Sequence, residues 1–91
     1  MNKTSEFIPL SDDAARAVAG LANRHAALLE DAFDVLIETP GGGITLDGDS
    51  KGRTSAKRVV QSLADRADKG HEVTEADVRV AIGQVLSLIH I

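Results

Sequence analysis

Ninety-one residues are enough for one small domain with a modest core. The absence of cysteine excludes disulfides and thiolate metal sites and fits a reducing cytoplasm. Ten Lys and Arg against fourteen Asp and Glu leave a net charge of −4, which argues against a protein that coats nucleic acid indiscriminately; any RNA contact must come from a local basic patch.

In chain order, the opening MNKTSEF lacks the apolar run of a signal peptide, and no later segment approaches the length of a membrane span. Glu6–Leu10 is short and apolar-rich with Pro9 inside it, and so reads as an edge strand at best. Ser11 can cap a helix whose first turn holds Asp12 and Asp13, and Ala14, Ala15, Val18 and Ala19 share one face of it. Gly20 breaks or ends that helix. A second helix is expected from about Arg24 to Asp34, with Leu28, Leu29, Ala32 and Phe33 as its apolar stripe and Glu30 and Asp31 turned outward.

Val35–Thr39 and Ile44–Asp47 read as two strands joined by the Pro40–Gly43 turn, a hairpin signal. Gly48–Gly52 reads as a polar loop, after which Thr54 or Ser55 caps a helix with Val59, Val60, Leu63 and Ala67 inward and Gly70 as its terminator. Thr74-Glu75-Ala76-Asp77 resembles a capping box opening a last helix that buries Val78, Ala81, Ile82 and Val85. The only aromatics are Phe7 and Phe33, so aliphatic side chains must fill the core. The expected inward set is Val18, Leu28, Leu29, Phe33, Ile37, Leu46, Val60, Leu63, Val78 and Ile82. The resulting order, β-α-α-β-β-α plus one extra helix, is that of a KH-type α+β domain with helices packed on one face of a small sheet.

Two groups of residues could contact an RNA backbone. KH modules place a GxxG loop between two helices, where the main chain clamps phosphates. Here Gly20-Leu21-Ala22-Asn23 supplies the first glycine but Asn23 in place of the second, followed by Arg24 and His25. The alternative is a plain helix–helix corner with a solvated arginine. Lys51, Arg53, Lys57 and Arg58 form the second group; Arg53 and Lys57 lie four positions apart and share a face, which could track a phosphate chain or simply be solvated. Without aromatics to stack bases, sequence reading by this surface is not expected.

Three further patterns are rejected. Gly43 to Ser50 has the spacing of a Walker A motif, but Asp49 stands where lysine is required and would repel phosphate. Asp47, Asp49 and Lys51-Gly52 imitate a calcium loop, but the bidentate position falls on Arg58. His71-Glu72 is followed by Glu75 rather than a histidine at zinc spacing, and the three histidines, His25, His71 and His90, are far apart. No metal site, cofactor or catalytic grouping is expected.

Gly20, Leu29-Glu30, the alternations Val35/Ile37 and Ile44/Leu46, Gly48, and the segment Glu72–Val78 together resemble the N-terminal KH-like domain of PhoH-like proteins. The resemblance covers residues 6–85. It implies an accessory RNA-binding module that targets a P-loop ATPase domain, with ATP and Mg belonging to that domain and not to any residue here. Single-stranded RNA is then the expected partner, in the cytoplasm. The alternative is a degenerate KH fold that docks on its own ATPase domain or joins subunits. The tail, residues 86–91 (LSLIHI), departs from the family pattern, which continues into a polar linker, and is expected to be non-native or disordered.

Overall fold

The computed structural model describes residues 4–89 of the chain. Strand β1 (Thr4–Pro9) ends on its proline, where a missing N–H interrupts no ladder, and the next amide, Leu10, donates to the Gly42 carbonyl at 3.0 Å. Helix α1 (Asp12–Ala19) starts at Ser11, whose Oγ accepts from the Ala14 amide at 3.1 Å, as its sequence predicts. One 3₁₀ turn, Leu21–Asn23, links it to α2 (Arg24–Phe33), which Asp34 closes in a left-handed conformation.

Strands β2 (Leu36–Glu38) and β3 (Gly43–Gly48) form the expected hairpin, and β1 adds to the other side of β3, giving the antiparallel order β1-β3-β2. The register pairs Ile8 with Ile44, and both Glu6 and Ile37 with Leu46. Side chains alternate across a strand, so this register turns Ile8, Ile44, Leu46 and Ile37 toward the helices. It leaves Phe7 and Leu36 on the open face, where they are 49% and 64% exposed.

Helix α3 (Ser50–Asp68) and α4 (Glu75–Ile89) complete the helical layer. The capping box at the start of α4 is reciprocal: the Thr74 amide donates to Asp77 Oδ2 at 2.9 Å, and the Asp77 amide donates to Thr74 Oγ1 at 3.1 Å. Val18, Leu29, Phe33, Leu46, Val60, Leu63 and Val78 are buried as expected, whereas Leu28, Ile37 and Ile82 are half-buried at the margin of the core.

Two local expectations are corrected. The Gly48–Gly52 loop is absent, because α3 begins at Ser50, four to five residues before Thr54 and Ser55, with Asp49 Oδ1 accepting from the Gly52 amide at 3.2 Å. Gly52 makes the early start possible: a Cβ there would lie 2.4 Å from the Phe33 carbonyl oxygen, so only glycine lets α3 cross the end of α2 so closely. Glu30 is not simply turned to solvent but reaches the edge of the sheet, accepting from the Ile37 amide at 2.9 Å. The residues with Walker-like spacing form the central strand β3 and the cap of α3, in line with the strand expected at Ile44–Asp47. Of the tail, Leu86 packs against the core within α4, which runs on to Ile89; His90 and Ile91 lie outside the described residues.

Candidate nucleic-acid interface

The corner between α1 and α2 has a backbone that few residues adopt. Gly20 sits at φ 78°, ψ 169°, a region essentially restricted to glycine, and its amide still bonds the Arg16 carbonyl at 2.8 Å to finish α1. Ala22 and Asn23 follow with φ of 53° and 59°, so Asn23 supplies the left-handed turn that a second glycine would otherwise make. Leu21 projects at the apex, 87% exposed.

His25 is what pins this corner. Its Nδ1 lies 2.9 Å from the Ala17 carbonyl oxygen; a carbonyl only accepts, so Nδ1 carries the proton. The ring covers Gly20 so closely that a Cβ on that residue would stand 2.5 Å from it. The glycine therefore meets two demands at once, a backbone angle and a flat surface for the imidazole.

Beside the corner runs a groove of about 520 Å³. Asp12, Ala15, Arg16 and Ala19 of α1 form one wall, Gly20–Asn23 one end, and Thr39 with Gly41–Gly43 of the hairpin loop the other wall. A second hollow of about 480 Å³ lies between α2 and β2, bordered by Asn23, Ala26, Ile37, Glu38, Thr39 and Pro40. Asn23 and Thr39 border both hollows and so mark the divide between them. Small and apolar residues line most of the larger groove, and Arg16 is the one cation in either lining.

The structure brings only part of the sequence-predicted site together. Gly20 and Asn23 line the groove. Arg24 points to α4, where its guanidinium lies 3.5 Å from Glu75, and His25 serves the corner itself. Lys51 is exposed in the first turn of α3, outside the groove lining. Arg53 and Lys57 share a face as expected, but that face meets β1. Arg53 donates from Nε to the Gly48 carbonyl at 3.0 Å and pairs with Glu6 at 3.3 Å, while Lys57 Nζ reaches the same carboxylate at 2.6 Å. The Lys57 hydrogen bond, aided by both positive charges, holds Glu6 below the usual carboxylate range. Arg53, only 18% exposed along its side chain, thus ties strand to helix rather than standing free at the surface. Arg58 points elsewhere, toward the seam between α3 and α4.

Sequence reading missed Arg16, Thr39 and the approach of the hairpin loop to α1. For Arg16 a signal existed: it precedes Gly20 by about one helical turn, on the polar side of α1. Among the described residues no group of histidine and acidic side chains could hold a metal ion, and no helix is long and apolar enough to cross a membrane.

No protein-family model and no curated protein matches the sequence. The fold, however, is similar to solved structures. Dim2p from Pyrococcus horikoshii OT3 superposes with a TM-score of 0.71 over 90% of this chain and 49% of its own, at 16% identity. A protein of unknown function from Aeropyrum pernix does so with a TM-score of 0.74 over 99% of this chain and 50% of its own, also at 16% identity. The chain spans about half the length of these neighbours. The architecture is a small KH-like α+β domain, as its element order predicts.

Proposed function

We propose that this chain is a KH-type module that holds single-stranded RNA weakly by its backbone, in the groove beside Gly20–Asn23. The observation that carries this reading is the groove itself. A glycine-opened corner at the start of a helix faces a glycine-rich hairpin loop across a trough of small apolar residues. Such a trough accepts bases without reading them, while main-chain groups at the corner approach the phosphates. With no aromatic among the lining residues, little sequence preference is expected.

On its resemblance to PhoH-like proteins, the module serves as the N-terminal accessory domain that brings a cytoplasmic P-loop ATPase to RNA. ATP and Mg belong to that domain, and this chain alone is expected to bind no nucleotide and turn over no ATP. A GxxxxGK[ST] motif encoded shortly downstream of residue 85 would support the assignment, and its absence from the gene would remove it.

Titration of labelled single-stranded RNA at two salt concentrations tests the binding. Weak binding that fades as salt rises is the expected outcome, because phosphate contacts release counterions. Sequence-selective binding indifferent to salt would contradict the reading.

A second reading, a degenerate KH fold that docks on its own ATPase domain or on other subunits, draws on Leu21 at 87% exposure and on the single cation in the groove. An absence of RNA binding at low salt would leave this reading in place.

A further inference from the structure

We infer that Arg16 is the side chain through which the groove takes hold of a phosphate, and that Asp13 competes with the RNA for it. The inference rests on the RNA reading above and assigns the contact within it.

The other candidate cations are engaged or elsewhere. Arg24 faces Glu75, Arg53 and Lys57 share Glu6, Arg58 lies toward α4, and Lys51 lies outside the groove lining. Arg16 alone stands in the wall of the groove, about one turn before the corner, with its side chain 76% exposed. It supports no part of the core. Its partner is Asp13, 92% exposed, reached by one bond from Nη2 to Oδ1 at 2.8 Å.

A single bond uses one of the five donors of a guanidinium, and the planar fork matches a phosphate in a bidentate way that one carboxylate oxygen does not. An exposed pair three residues apart is weak and screened by salt. A phosphate brought alongside by a base seated in the groove against Leu21 and Ala22 therefore displaces Asp13 without disturbing the fold. Asp12, in the same wall, disfavours a second phosphate nearby, so a single ionic contact is expected.

The test is a titration of a labelled single-stranded RNA with the unaltered chain, R16A, D13N and D31N, each at several low salt concentrations. Asp31 is an exposed acid on α2 beside the α2–α4 seam, so D31N makes the same charge change away from the groove. Arg16→Ala should weaken binding roughly fivefold at low salt and reduce the slope of log affinity against log salt by about 0.7, the signature of one lost phosphate on a single strand. D13N should tighten binding about twofold, and D31N should do less. All four chains should show the same thermal transition within a few degrees.

An R16A chain with unchanged affinity and slope would overturn the inference while leaving the RNA reading intact. Lost affinity with an unchanged slope would overturn the phosphate assignment. Equal gains from D13N and D31N would overturn the competition by Asp13. Failure of the unaltered chain to bind at low salt would defeat the RNA reading and this inference together.

Discussion

Gly20 shows how one position can carry two constraints. At φ 78° and ψ 169° a side chain is strained, and the space a Cβ would need is filled by the His25 ring. Strain in that region costs about 1–3 kcal/mol, and displacing the imidazole adds the loss of its bond to Ala17. Gly20→Ala should therefore destabilise the domain by about 2–4 kcal/mol. His25→Ala alone should cost less, and in the double variant the collision disappears while the backbone strain stays. The double-mutant cycle is expected to show a favourable coupling of about 1 kcal/mol, measured by denaturant unfolding. Strictly additive losses would mean that the ring and the glycine do not meet as described.

Among the elements, the clasp of β1 on α3 has a pH signature. Glu6 is held below its ordinary pKa of 4.5, chiefly by Lys57 and also by Arg53. A group whose folded pKa is lowered adds stability above its unfolded value and loses that contribution as pH falls through the folded one. Melting temperatures of the unaltered chain and of Glu6→Gln should therefore differ at neutral pH, with E6Q the lower of the two at pH 7, and converge as pH falls below 4.5 and through the lowered pKa of the folded state. A constant gap across that range would show that the charge on Glu6 is not what holds the clasp. The clasp also marks the limit of what the sequence discloses. Ser11, Thr74 with Asp77, the Pro40–Gly43 turn and the apolar faces around Leu29 and Val60 are local signals, and each appears where its pattern places it. The early start of α3 depends on Gly52 meeting the Phe33 carbonyl, and the fate of Arg53 and Lys57 depends on a carboxylate some fifty residues away; neither is encoded in spacing along the chain. The groove is legible at its corner, through Gly20 and Asn23, and illegible along its walls, which α1 and the hairpin loop form only once both have packed.

At the scale of the whole molecule, charge pairing leaves little free positive surface among the described residues. Arg16, Arg24, Arg53, Lys57, Arg66, Lys69 and Arg79 are each within ion-pair distance of an acid, and acids outnumber cations overall. Long-range attraction of a polyanion is correspondingly slight, so the RNA binding proposed above should lack electrostatic acceleration. The strand order has a different kind of consequence, one of timing. β3 is the central strand, and its partner β2 is only a short turn away, whereas β1 must return across α1 and α2 to meet it, pairing Thr4 with Gly48. Closing the longer loop costs more entropy before any contact repays it. The hairpin is thus expected to be largely formed in the folding transition state and β1 to join after it. Ile8→Val, costing about 1 kcal/mol, should leave the folding rate nearly unchanged and speed unfolding roughly fivefold, while Leu46→Val should slow folding itself. Stopped-flow refolding of the two variants would show the contrast, and a slowed Ile8→Val would place β1 in the nucleus instead. Since β1 also carries Glu6, the ionic clasp to α3 closes only in this final step, and the same contact acts as a brake on the strand's departure once the domain is folded.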